Sequence, residues 1–175
     1  MFYPFFYVIN PWGLFNSFSE ARAFFTSHPA NCISSGFGVG LITTAPGTIG
    51  TLLAFPVYKM LLLLVYPEKI LFAIVVMFLI GIWASAKTGK VLGEHDSSII
   101  VWDEVVAFCI VLFFTPNNLF WALLAFIIFR FFDIFKPYPI DLIDAKLANG
   151  LGVMLDDIVA AFYTLLCLAL VKILV

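Results

Sequence analysis

Apolar residues in this chain fall in long runs separated by short breaks that carry proline, glycine and polar side chains. The runs cover about residues 51–66, 70–86, 99–115, 119–135 and 153–175. At roughly 1.5 Å per residue, each crosses most or all of a hydrocarbon layer of roughly 30 Å. The breaks are Pro67-Glu68, residues 89–98, Pro116-Asn117-Asn118, and a longer stretch that opens with Lys136-Pro137-Tyr138-Pro139 and closes at Gly152. All are stop or turn signals. The pattern predicts an all-α, polytopic membrane bundle of about five spanning or near-spanning helices. Pro56 and Lys59 weaken the first run, leaving it open to a kink or a partly re-entrant path.

Residues 1–30 read differently. They are rich in aromatics and broken by Pro4, Pro11, Gly13 and Pro29, which suits a segment lying among lipid headgroups better than a spanning helix. With no basic start and no small-residue cleavage site close behind, they are expected to stay in the mature protein. The expected organisation is an interfacial extension over residues 1–35 and a helical membrane domain over 36–175.

Composition agrees with a membrane setting. The chain is 63% hydrophobic and 11% charged, and its 21 Phe exceed what a 175-residue domain can hide in one core, so lipid must cover the remainder. Its mean hydropathy is +1.11. A net charge of -2 with no Lys/Arg run argues against nucleic acid as a partner. Cys32, Cys109 and Cys167 are scattered and odd in number, so they read as small hydrophobes rather than a disulfide frame or metal site. If all five runs cross, Arg22, Lys87, Lys90, Lys136 and Lys146 share one side, while Lys69 and Lys172 lie on the other. The positive-inside bias places the first group in the cytoplasm.

The acidic residues gather on that same side. Glu94 and Asp96 precede the third run, Asp103 and Glu104 sit in its first turns, Asp133 ends the fourth, and Asp156 and Asp157 open the fifth. An ionised carboxylate inside a hydrophobic segment costs about 2.5–3.5 kcal/mol unless paired, hydrated or bound to a cation. A helix N-terminus accounts for Asp156 without any function. Asp133 sits at the wrong helix end for that, and its structural alternative is a pair with Arg130 or Lys136, three positions away on the same face. Oxygen ligands from three helix ends, without a Cys or a His pair, favour Mg²⁺ or Mn²⁺ and suit a site where Arg130 and Lys136 bind phosphate oxygens.

Two further features bear on that chemistry. The stretch GFGVGLITTAPGTIGT over residues 36–51 offers backbone N–H groups and hydroxyls beside a helix start, a phosphate cradle, or equally a small-residue surface for close helix packing. It lacks the G-K-[ST] of a Walker loop. His95, beside Asp96, is either a solvated loop residue or a general acid for a leaving oxygen.

Four motifs in order, GFGVGL with APGTIGT, EHDSSIIVWDE, FRFFDIFKPYPI and GLGVMLDDIVA, resemble the phosphatidylglycerophosphatase A family from Gly36 to about Ala161. Departures are small: Val39, Tyr138 and Ala161 stand where the family usually has a small polar residue, Trp and Gly. The resemblance implies Mg²⁺-dependent removal of the terminal phosphate of phosphatidylglycerophosphate, a lipid of the bacterial cytoplasmic membrane, with the active site facing the cytoplasm. It implies metal ligation by Asp103, Glu104, Asp133, Asp156 and Asp157. Catalytic roles fall on His95, Asp96, Asp103, Glu104, Asp133 and Asp157, and phosphate binding falls on Arg130, Lys136, Gly47 and Thr48.

A Cys-x5-Arg phosphatase loop, a DxDx[TV] motif and a D-x-x-D-G-x-x-A-R signature are all absent. The alternative from another class is a carboxylate-lined cation or proton-coupled transporter. Such a protein needs ionisable groups near the bilayer midplane and access from both faces, whereas these groups cluster toward one face.

Overall fold

The computed structural model describes residues 15, 17–41 and 44–174. Of the segment expected to lie at the interface, residues 1–14 and 16 are outside this range. Among the described residues the chain is all helical, as expected. The helices are α1 (Phe18–Ser27), α2 (Pro29–Ser34), α3 (Pro46–Leu64), α4 (Ile70–Leu92), α5 (Trp102–Phe114), α6 (Leu119–Phe135), α7 (Ile140–Lys146) and α8 (Gly150–Leu174).

The five apolar runs become α3, α4, α5, α6 and α8, with shifted ends. Pro46 starts α3 five residues before the run, as its fixed φ suits a first helical position. Pro56 lies within that helix, which continues through to Leu64. Past the expected end of its run, α4 continues to Leu92 and stops where Gly93 turns left-handed (φ 75°) and donates to Gly89 O. The third run is shortened because Val101 leaves the helical path and donates its N–H to Ser34 O at 2.9 Å. Asn118 caps α6 by accepting from Trp121 N at 3.0 Å. Asn149 does the same for α8, accepting from Leu151 N (3.0 Å) and Gly152 N (3.1 Å).

The centre of the bundle is α5. Every residue from Trp102 to Cys109 is buried, so this helix is covered on all sides, with α3, α4, α6 and α8 packed around it. Phe108 is its largest fully buried side chain, ringed by Phe55 of α3 and by Phe126 and Phe129 of α6 at centroid distances of 5.4–6.0 Å. The outer faces are the reverse: Leu64, Phe72, Leu79, Ile127 and Phe135 are broadly exposed, an apolar belt for lipid contact. Among the described residues, three helical stretches are long and apolar enough to cross a membrane: Pro46–Leu64, Pro67–Leu92 and Gly150–Leu174. With 13 and 17 residues, α5 and α6 reach about 20 and 26 Å.

A buried polar knot ties α2 to α4. Thr88 Oγ1 donates to Asn31 Oδ1 (3.0 Å), the Ser34 and Thr88 hydroxyls are 2.7 Å apart, and Asn31 Nδ2 donates to Phe24 O (3.0 Å). The linkage leaves these buried groups satisfied and holds the loop before α5 through Ser34.

Truncating Phe108 to Ala removes the shared neighbour of α3 and α6. The expected loss is about 3–5 kcal/mol, read as a lowered unfolding midpoint of the detergent-solubilised protein.

Candidate active site

Four helix ends meet at one cleft of about 430 Å³: the starts of α3 and α5, the end of α6 and the first two turns of α8. Neither Ala45 before α3 nor Val101 before α5 caps its helix with a side chain, and in the first turn of α5 the Glu104 N–H donates to Asp103 Oδ1 at 3.1 Å. The cleft is lined by Asp96, Asp103, Glu104, Asp133, Asp156 and Asp157, together with Arg130 and Lys136. Six carboxylates thus meet two cations.

The cations are already engaged. Arg130 donates to Asp133 one turn on, donates to Thr51 Oγ1 at 3.3 Å, and lies 3.8 Å from Glu104 Oε1. Lys136 ends α6 in a left-handed conformation (φ 40°, ψ 57°) and donates to Asp156 Oδ2 at 2.8 Å, with Asp96 Oδ2 at 3.6 Å. Asp133 therefore makes the pair with Arg130 that its spacing allowed. Asp156 and Asp157 sit in the second turn of α8, because that helix starts at Gly150, and a dipole effect confined to the first turn does not explain them.

Three carboxylates remain. Asp103, Glu104 and Asp157 are all buried, and each offers an oxygen within 4.8 Å of the others. Glu104 Oε2 and Asp157 Oδ2 have no hydrogen-bond partner. Like charges this close in a dry setting repel strongly, and a divalent cation taking oxygen ligands is the compensation that the donor set fits.

The glycine-rich stretch carries the close approach that brings Glu104 to Arg130. A Cβ on Gly47 would run into Glu104 Oε1 and lie 3.1 Å from Arg130 Nη2; one on Gly50 would lie 2.8 Å from Val101 Cβ and 3.2 Å from Glu104 Oε2. Close helix packing thus operates at Gly47 and Gly50, while Gly47 and Thr48 also line the cleft. Of the two sequence alternatives for this stretch, close helix packing is the one observed.

His95 is placed elsewhere. With Glu94, Lys90 and Asn149 it lines a neighbouring cavity of about 340 Å³ between the end of α4 and the start of α8, and it is not among the residues lining the acidic cleft. Thr51 and Ser97 were not anticipated. Thr51 bonds Arg130, and Ser97 lies buried in the cleft wall with its hydroxyl unpartnered. The signal for Ser97 was its place directly after Asp96. For Thr51 it was the four-residue spacing from Gly47, whose carbonyl accepts the Thr51 hydroxyl at 2.9 Å.

The family described as Phosphatidylglycerophosphatase A matches residues 32–172, which hold every residue of this cleft. The chain belongs to the phosphatidylglycerophosphatase A family. A phosphatidylglycerophosphatase A of Haemophilus influenzae is 44% identical over 140 residues, 79% of this chain and 86% of its own length. Another of Escherichia coli is 39% identical over 137 residues, 77% and 78% of the two chains. A Bacteroides thetaiotaomicron protein provisionally named a phosphatidylinositol-3-phosphatase is 37% identical over 147 residues, 80% and 91%. No solved structure matches the chain. In this family member the four motifs lie far apart in the sequence and supply the four walls of one cleft.

Asp157→Asn removes one charge from the buried triad of Asp103, Glu104 and Asp157. With a chelator present it is expected to raise the unfolding midpoint by a few degrees, the equivalent of about 1 kcal/mol. Added Mg²⁺ is expected to stabilise the unaltered protein and to have much less effect on this variant. Thermal unfolding with and without the ion reads both.

Proposed function

We propose that the chain hydrolyses the terminal phosphate of phosphatidylglycerophosphate, giving phosphatidylglycerol and inorganic phosphate in phospholipid biosynthesis. One observation carries this reading: two anchored cations and a bare carboxylate triad share a cleft at one end of a membrane bundle. Phosphate oxygens suit the first, and a divalent ion bridging protein to phosphate suits the second. The two relatives named phosphatidylglycerophosphatase A support the choice of substrate.

Asp103, Glu104 and Asp157 are the residues that would hold Mg²⁺, and the unpartnered oxygens of Glu104 and Asp157 fit that ion's preference for hard ligands. Bound there, it supplies positive charge to the phosphate oxygens and a more acidic water as nucleophile. Asp133 and Asp156, also candidate ligands, are assigned first to aiming Arg130 and Lys136.

Arg130 presents a planar fork of donors to the phosphate, and Lys136 a compact point charge. Thr48 and the open N–H groups at the start of α3 add donors, with Gly47 keeping that approach free of a side chain. Water attacks phosphorus opposite the glycerol oxygen, the P–O bond to glycerol breaks, and the departing oxygen takes up a proton. Asp96 lines the cleft and is 41% exposed at its side chain, so it is assigned, ahead of His95, to take the proton that the attacking water loses and pass it to the departing oxygen. Basic residues on the cleft side, including Lys87, Lys90 and Lys146, support placing this face in the cytoplasm and the protein in the bacterial cytoplasmic membrane. There the lipid headgroup enters the cleft while its acyl chains stay in the bilayer.

The purified protein in detergent is expected to release phosphate from phosphatidylglycerophosphate, to stop with a chelator and to resume with Mg²⁺. Phosphatidic acid and phosphatidylinositol 3-phosphate are the competing substrates, and a faster rate on either would overturn the substrate assignment.

Asp157→Asn, Asp133→Asn and Asp96→Asn are each expected to lower kcat by at least ~100-fold, and Arg130→Lys by a similar factor through loss of the fork. His95→Gln is expected to stay within about threefold of the unaltered rate. A loss of ~100-fold there would return the proton transfer to His95.

A further inference from the structure

On the face opposite the acidic cleft, α3 and the turn between α5 and α6 enclose a cavity of about 910 Å³, more than twice the volume of the cleft itself. Its walls are apolar, including Phe55 and Leu62 of α3 and Leu112 and Phe113 of α5. Its lining contains one charged residue, Lys59, and the exposed amides of Asn117 and Asn118 stand at the turn. Among the described residues nothing forms an ion pair with Lys59. Lys59 thus presents an unbalanced cation beside apolar walls, within a helix otherwise suited to crossing a membrane.

Helix lengths explain why polar groups are drawn into this region. From the carboxylates at its start to the turn at its end, α5 spans 13 residues, about 20 Å against a hydrocarbon layer of roughly 30 Å. Because α5 is sheathed by the longer α4 and α8, this shortfall of about 10 Å lies inside the bundle and leaves the polar turn between α5 and α6 within reach of headgroups drawn inward. On this face, among the described residues, Lys59, Lys69 and Lys172 outnumber the single acidic residue, Glu68, so the group drawn inward is favoured to be anionic.

We propose that this cavity binds one anionic phospholipid from the leaflet opposite the acidic cleft. An acyl chain lies against Phe55, Leu62 and Phe113, the headgroup phosphate meets the Lys59 ammonium, and the amide N–H groups of Asn117 and Asn118 donate to headgroup oxygens. This site is distinct from the hydrolytic cleft, at the other end of α5, and does not depend on the substrate assigned there.

Native mass spectrometry of the full chain in detergent, with phosphatidylserine or phosphatidylcholine of the same acyl chains, tests it. The unaltered protein is expected to retain phosphatidylserine about fivefold better than phosphatidylcholine. Lys59→Gln is expected to bring that ratio close to one, and Lys59→Arg to preserve it. Leu62→Trp, which fills the cavity while leaving the cation in place, is expected to lower retention of both lipids and keeps the test decisive if Lys59→Gln fails to fold. Equal retention of the two lipids by the unaltered protein overturns the proposal, as does an undiminished preference in Lys59→Gln or undiminished binding in Leu62→Trp.

Discussion

Negative charge buried in an apolar bundle is the constraint around which this molecule is arranged. An isolated carboxylate in such a setting costs several kcal/mol, and here six of them line one cleft. Two different compensations are visible. Asp133 is balanced by Arg130 within its own helix. Asp156 is balanced across helices by Lys136, which α6 delivers by ending in a left-handed residue. Among the described residues, Asp103 and Asp157 have no cation partner and Glu104 has only a 3.8 Å approach from Arg130, so the three together are a group that could hold a metal ion.

Much of the packing serves the same arrangement. α5 presents two adjacent acids from its first turn, which requires that the rest of the helix be sheathed, and it is buried from Trp102 to Cys109. Glycines at 47 and 50 let α3 approach closely enough for Thr51 to reach Arg130 and for Glu104 to sit between the helices. The knot of Asn31, Ser34 and Thr88 fixes the loop ahead of α5 through Ser34 O, and so sets where that helix starts. Stability and site geometry are therefore coupled through the short central helix. Its length also brings the polar turn at its far end closer to the cleft than a bilayer is thick.

The chemistry follows from what is paired and what is not. A carboxylate held by a lysine or arginine aims that cation, whereas a buried, unpartnered carboxylate oxygen is available as a ligand. The division of acidic residues into these two roles follows from their partners and needs no assumption about the substrate. It gives Asp133 and Asp156 a different place from Asp103, Glu104 and Asp157, although all five are alike in the sequence.

Long apolar runs were enough to establish a helical membrane bundle, because the hydrocarbon layer sets both the length and the composition of a spanning segment. The runs also located the acidic residues on one face, since alternating helices return them to the same side. The shorter elements α1, α2 and α7 are not legible in the sequence because their residues are mixed in character and depend on packing partners, α2 on α4, α7 on α8 and α1 on α2. Helix starts were misjudged where a proline or glycine began the helix ahead of its apolar residues, as at Pro46 and Gly150. Motif order also brought Arg130, Lys136 and the carboxylates together as one site. It did not reveal that Arg130 holds Asp133, that Lys136 holds Asp156, or that His95 lies on a neighbouring cavity, because those relations depend on helix rotation and register. Spacing along a chain fixes which face of its own helix a residue occupies. Which residue of another helix it meets is decided by packing, and here that packing brought Asp103, Glu104 and Asp157 together with oxygens of Glu104 and Asp157 left without a hydrogen bond.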